Sequence, residues 1–197
     1  MSTETISLFP LQSVLFPDGP LPLRVFETRY LDMVSRCLRD EVEFGVVLLT
    51  DGSEIGHART VSVGTAARIV DWYQGSDGIL GITAVGSRRI RLQSVSQQND
   101  GLYVAEVDEI AREPSSPLPE EYRPMASLLE AIIDDLGKLY QSLDKHYNDA
   151  SWVGNRFAEI LPISQEQKQY CLELNDPLER LQYVRPLLRS IRQERSQ

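Results

Sequence analysis

What this chain lacks narrows it first. Cysteine occurs twice, Cys37 and Cys171, far apart in the sequence. Two cysteines make no disulfide framework. Both fall among apolar residues in helical patterns, where a thiol serves as a small buried hydrophobe. Histidine also occurs twice, His57 and His146, and neither has a Cys or His nearby at metal-ligand spacing. Both are read as surface residues, and no metal or other cofactor is expected. Positive charge is short: 20 Lys and Arg against 29 Asp and Glu leave a formal charge of −9. That disfavours a general binder of nucleic acid or anionic membrane, because phosphate contacts need a positive surface. A phosphate-cradling GxxxxGK[ST] loop is missing. The Gly137-Lys138 pair is followed by Leu139 inside an amphipathic stripe. An unbroken apolar run of the roughly 20 residues that a membrane span requires is missing as well.

The nearest approach to such a run is ISLFPLQSVLFPDGPLPLRVF, residues 6–26. Asp18 is the one charge between Ile6 and Arg24, but Pro10, Pro17, Pro20 and Pro22 interrupt any helix. The opening MSTET carries Glu4 and no Lys or Arg, unlike a secretory leader. Two short strands fit better, residues 6–9 and 21–26, with turn chemistry in Pro17-Asp18-Gly19-Pro20 between them. The expected compartment is therefore a reducing cytoplasm.

What is present is an ordinary globular composition, 42% hydrophobic and 25% charged over 197 residues, in two halves of different rhythm. In residues 28–40, Tyr30, Leu31, Val34, Cys37 and Leu38 recur at helical spacing. Residues 43–49 read as a buried strand closed by Asp51-Gly52. Residues 61–74 and 78–95 are strands joined by an Asp77-Gly78 hairpin signal, with a bulge or bend expected at Gly86. Ile90 and Leu92 alternate with Arg89, Arg91 and Gln93, which predicts one wet face. Asn99-Asp100-Gly101 turns into a strand over residues 102–110. Antiparallel strands with glycine corners predict a small barrel or sandwich.

A Pro- and Ser-rich stretch, residues 113–124, marks a shift, and the division expected is 1–115 and 116–197. Beyond it Met125, Leu128, Leu129, Ile132, Ile133, Leu136, Leu139, Tyr140 and Leu143 form one helical stripe. A shorter helix is expected over residues 152–161. Ser164 with Gln167, and Asp176 with Glu179 behind Pro177, are capping boxes. Leu178, Leu181, Val184, Leu188 and Ile191 carry the last stripe, which Pro186 is expected to divide.

Three phrases then stand in order. Residues 8–30 place Pro10-Leu11, Phe16-Pro17 and Pro22-Leu23 ahead of the first helix. Residues 55–92 contain Val63, Gly64, Thr65 and Ala67, then Gly86, Arg89 and Arg91. Residues 159–184 read EILPISQEQKQYCLELNDPLERLQYV. Together they resemble the Lon N-terminal domain, the substrate-binding domain of the ATP-dependent Lon proteases. The sequence departs from that pattern at Asp18, which precedes Gly19 where the family places Gly directly after Pro. The resemblance implies an α+β fold: a β-rich PUA-like pseudobarrel with one helix, followed by a helical bundle. It also implies recognition of unfolded or apolar polypeptide in ATP-dependent proteolysis or protein quality control, with a protease in trans as a candidate partner. The ATPase loop and the Ser-Lys peptidase dyad of a full Lon protease are not in these residues, so no catalysis is expected.

Other catalytic strings are weak. Ser142-Leu143-Asp144-Lys145 satisfies S-x-x-K, but the companion S-D-N and K-T-G elements are missing. Asp134-Asp135 and Glu120-Glu121 are adjacent acids that do not face one another on a helix, and read as solvated faces. Candidate peptide-binding residues are the aromatics and their neighbours: Phe16, Leu23, Phe26, Trp72, Tyr73 and Trp152. They are taken to line a groove between the lobes, with strand addition at a barrel edge near residues 21–26. Arg89 and Arg91, in a cluster with Arg88, are candidate anion contacts. The alternative is a small-molecule-binding protein or hydrolase using the cleft between the lobes. An RNA-binding module is a third reading, which the charge disfavours; neither nucleic acid nor a membrane is an expected partner.

Overall fold

A computed structural model describes residues 4–49, 61–141 and 143–194. The Asp51-Gly52 turn, His57 and Ser142 lie outside these residues. The chain folds as two units, Met1–Arg112 and Glu113–Gln197, and the class is α+β.

The first unit holds β1 (Glu4–Leu11), β2 (Pro20–Val25), α1 (Thr28–Asp40), β3 (Phe44–Leu48), β4 (Val63–Gln74), β5 (Leu80–Gln97) and β6 (Tyr103–Glu109). The sheet order is β2-β5-β4-β3-β1-β6, and β5 pairs with β6 as well. That second pairing closes a five-stranded barrel and leaves β2 outside it, on the first part of β5. Closure is achieved by the length of β5, 18 residues, whose beginning serves β2 and β4 and whose end, Ile90 to Gln97, serves β6. The expectation of antiparallel pairing needs one correction: β1 runs parallel to β3. The connection between them passes through β2 and α1, long enough for the crossover that a parallel pair requires.

Alternation then sorts the side chains. Ile6, Leu8, Val47, Ala66, Ile90, Ala105 and Val107, from all five barrel strands, fill the interior. On the other face Phe44, Val46, Ile82 and Ala84 pack with Tyr30, Met33, Val34 and Cys37 of α1. β3 is buried along its whole length because both faces are covered. The α1 stripe is as expected except that Met33 joins it and Leu38 is exposed.

Gly86 does mark a bulge. Ala66 opposes Arg88 and Ala67 opposes Gly86, so Ser87 is the extra residue. The bend brings Gly86 against the β1–β2 connection. Its N–H donates to the Gly19 carbonyl (3.0 Å), its carbonyl accepts from the Asp18 N–H (2.8 Å), and an added Cβ would collide with the Phe16 carbonyl oxygen. A second shift follows between Leu92 and Ser94. The expected wet face fails at Arg89, which is only 5% exposed although it alternates with interior Ile90.

The second unit holds a 3-10 turn (Glu120–Tyr122), α2 (Arg123–Asp135), α3 (Lys138–Gln141), α4 (Ala150–Ile160), α5 (Gln165–Glu173) and α6 (Pro177–Glu194). The long stripe predicted from residue 125 is two helices, because Gly137 takes φ +70° and ends the first. The predicted division at Pro186 does not occur; α6 runs through it. The Ser164–Gln167 capping box forms with both bonds. Asp176 caps α6 through the Leu178 N–H (2.8 Å). Among the described residues, no helix is long and apolar enough to cross a membrane.

Candidate functional site

The β1 strand ends at Leu11, β2 ends at Val25, and α1 starts three residues later. Where these ends meet, the first unit has a cleft of about 640 Å³, lined by Phe9, Leu11, Leu23, Phe26, Tyr30 and Leu49, with Tyr103 across from them. Volume and lining suit an apolar occupant. Phe9 and Tyr30 stack face to face, ring centroids 4.1 Å apart at 14°. Burial pushes the Tyr30 phenol above its ordinary pKa, so the ring is neutral at physiological pH. The charges at the rim are already paired. Arg29 holds Glu27 at 2.6 Å, donates to the Gly101 carbonyl at 2.9 Å, and lies 5.0 Å from the Tyr30 ring centroid. Arg24 is ion-paired with Asp77. Among the described residues, the lining contains no Ser, Cys, His or Lys and no nucleophile–base pair; what these residues offer is desolvation of apolar surface.

Beside the barrel β2, the start of β5 and the outer part of β4 form a three-stranded wing. Leu23, Ile82 and Trp72 oppose one another across it, as do Arg24, Gly81 and Tyr73. The first row lies on the face toward α1, the second on the opposite face. Tyr73 lies over Gly81, where any Cβ would meet its ring. Trp72 and Tyr73 are 58% and 57% exposed, and Phe26 is 70% exposed.

The sequence candidates therefore separate. Leu23 and Phe26 line the cleft. Trp72 and Tyr73 stand on the wing, on opposite faces. Phe16 is fully buried under the turn closed by its carbonyl and the Gly19 N–H, so it presents no surface to a peptide. Trp152 is buried in the helical unit, edge-on to Tyr147 at 5.1 Å, and is core as well. Of the candidate anion contacts, Arg89 is buried and Arg91 exposed. Their neighbour Arg88 is occupied by Glu4 (2.6 Å), Glu43 (3.1 Å) and Glu109 (3.7 Å). Sequence reasoning missed Phe9, Tyr30 and Tyr103. The available signal was that Phe9, Phe26 and Tyr30 all stand at the ends of adjoining elements.

The helical unit carries its polarity inside. Arg180 is fully buried and forks onto Glu113, with Nη1 donating to Oε2 at 2.9 Å; its Nε donates to the Cys171 carbonyl (2.8 Å). Ser151 donates to the same Glu113 carboxylate. Glu159 accepts from the Tyr140 hydroxyl (2.5 Å) and pairs with buried Arg156 (3.1 Å), while Lys168 donates to the Glu159 carbonyl (2.7 Å). Burial raises the Glu159 carboxyl above its ordinary pKa, against the pull of Arg156, Tyr140 and Lys168. Burial lowers Lys168. The two thiols are free and buried, as expected, and burial pushes Cys171 up to about 11. Lys145 pairs with Asp134 (3.6 Å), and exposed His146 leans on Trp152. Among the described residues, no group of three or more His, Cys, Asp or Glu could hold a metal ion.

Comparison with known proteins agrees with this geometry. Residues 5–190 match the family described as ATP-dependent protease La (LON) substrate-binding domain. A Lon N-terminal domain protein from Xanthomonas campestris has a similar crystal structure, with TM-score 0.76 and 36% identity, covering 92% of this chain and 96% of that one. The N-terminal domain of a Mycobacterium avium complex Lon protease shares the fold with TM-score 0.62 at 15% identity, over 92% of this chain and 96% of that one. Lon protease 2 of Myxococcus xanthus is 26% identical over 194 residues, 94% of this chain but 23% of its own length. The chain thus spans about a quarter of that relative.

Proposed function

The chain belongs to the family of ATP-dependent protease La (LON) substrate-binding domains, and from that premise we propose that it is a non-catalytic module recognising unfolded or apolar polypeptide. The observation that carries this reading is the cleft, with the Phe9–Tyr30 stack as one wall and exposed Phe26 at its mouth. An apolar segment entering it gains by leaving water, at about 25 cal/mol per Å² of apolar area, and meets no unpaired charge at the rim. Selection would be by apolarity and would survive moderate salt, since paired rim charges add little. The module would act in the cytoplasm, presenting clients to, or withholding them from, an ATP-dependent protease acting in trans.

The test is capture of peptides from an unfolded-protein array by the wild-type chain and by Phe26→Asp, with folding checked by circular dichroism. The expected result is selective capture of apolar peptides, insensitive to moderate salt and lost in the folded variant. Failure of folded wild-type protein to capture any apolar peptide would overturn the reading, as would equal capture by Phe26→Asp.

A further inference from the structure

The wing has two flanks, and they differ in a way the backbone itself reveals. β2 is an outer strand, as expected for strand addition, because among the described residues it pairs with β5 alone. β4 also has an unpaired flank. Its pairing with β3 involves only Thr65, Ala66 and Ala67. Along residues 68–74, among the described residues, no strand lies on the side away from β5.

Which backbone groups face outward follows from one hydrogen bond. In an antiparallel ladder, residues alternately turn their N–H and C=O toward the partner and away from it. The Gly75 N–H donates to the Ile79 carbonyl (2.8 Å), and the register continues as Gln74–Leu80, Tyr73–Gly81, Trp72–Ile82. Tyr73 therefore faces β5, while Trp72 and Gln74 face out. A second observation agrees: the Trp72 N–H is donated to the Asp71 carboxylate (2.9 Å), not across the ladder. On β5 the even-numbered residues then face β2, as the two Gly86 bonds toward Asp18 and Gly19 also require. Opposite them Leu21, Leu23 and Val25 face β5, leaving Pro20, Pro22 and Arg24 on the outer flank. Proline has no N–H, so Arg24 supplies the only donor there. The β2 flank is blunted in the manner natural edges are.

The β4 flank has no proline. It carries exposed Val70, Trp72 and Tyr73, and the outward N–H groups of Trp72 and Gln74. Its guards are the irregularity between Ile69 and Asp71 and the Asp71 carboxylate sitting on the Trp72 N–H. Asp71 shares a face with Tyr73 and, across the irregularity, with Arg68.

We propose that residues 68–74, and not β2, are the edge on which an extended client segment adds as a strand, and that Asp71 gates this edge in favour of a segment with Lys or Arg opposite it. The proposal rests on the reading of the protein as a polypeptide-recognition module. An incoming cation pairs with Asp71 and draws the carboxylate off the Trp72 N–H, which then donates to the client's carbonyl. An acidic residue at that position leaves the N–H occupied and adds like-charge repulsion across the pair. A net charge of −9 favours the same sign of client. A second copy of the chain fits poorly: two-fold pairing over the whole of residues 68–74 sets Asp71 against its own counterpart.

The probe is a synthetic peptide of about eight alternating Val and Thr residues with a central Lys, read by the emission of exposed Trp72. A blue shift on titration is expected, with binding weakened about fivefold or more when Glu replaces the Lys, an effect on the scale of one hydrogen bond. Gln74→Pro removes an outward donor without touching the β5 ladder, and should weaken binding by a similar factor while the circular dichroism and melting profile stay unchanged. N-methylation of the peptide at alternate residues should abolish binding in one phase and spare it in the other. Equal binding by both N-methylated phases, by the Glu peptide, or by Gln74→Pro would overturn the edge assignment. Peptide capture that is lost in Phe26→Asp but unchanged in Gln74→Pro leaves the cleft reading standing and removes this one. Concentration-dependent self-association abolished by Gln74→Pro would replace the client with a second copy.

Discussion

The two units of this chain differ in what they bury beside an apolar core. The first unit packs Phe44, Leu8, Met33 and Ile82 out of water and leaves Phe26, Trp72 and Tyr73 outside. The second buries its tryptophan and encloses two whole arginines, Arg156 and Arg180. An apolar core is non-directional and tolerates binding surfaces at its margins. A core that includes Glu113–Arg180 and Arg156–Glu159 is directional: each guanidinium demands acceptors at fixed angles, and Arg180 ties α6 to the end of α5 through the Cys171 and Leu174 carbonyls. The first unit leaves aromatic rings on its surface, and the second directs its buried polarity to its own geometry.

The contrast can be broken most severely at Arg180. Arg180→Ala leaves Glu113 buried without its fork and should destabilise the helical unit by about 3–5 kcal/mol. Urea unfolding followed by buried Trp152 emission would register it, whereas the exposed Trp72 reports on the other unit. Replacing both partners with apolar residues should recover much of the loss, which would separate the cost of an orphaned charge from the worth of the pair.

A packing lesion in the first unit comes next. Gly86→Ala drives a methyl into the Phe16 carbonyl oxygen and should cost about 1–3 kcal/mol, seen as a lower urea midpoint with the helical signal unmoved. The third effect is on pH dependence. Burial pushes the Cys171 thiol up to about 11, from an ordinary 9.0. The unfolded chain loses this proton first, so stability is full below pH 9 and declines as pH rises from 9 toward 11. Cys171→Ala should flatten that part of the profile in an alkaline denaturation series, and a rise in stability over that range would contradict the sign. Smallest is Phe26→Ala, which removes an exposed ring and should move stability by no more than about 0.5 kcal/mol while weakening peptide capture.

The same division governs what could be read ahead of the structure. The first helix, the Asp77-Gly78 hairpin, the Gly86 bulge and the Ser164–Gln167 box are contracts between residues close in sequence, and the pattern of types states them. Exposure, by contrast, depends on neighbours: Leu23 and Phe26 reached the cleft, yet Phe16 and Trp152, equally apolar, became core. Arg180 sits one residue before Leu181 in an amphipathic stripe, and nothing local distinguishes it from a solvated arginine. Its partner Glu113 is 67 residues away.

The order of residues alone determined the two-part α+β organisation, the helix ends and turns, and the absence of an ATP-binding loop, because periodicity, capping and motif spacing act over a few residues. Tertiary structure decided the parallel β1–β3 pair, the closure of the barrel through β5, the arginines inside the helical unit, and which backbone groups of β2 and β4 face outward. Those depend on which distant segments meet and in what register, and a shift of one residue exchanges an inward N–H for an outward one.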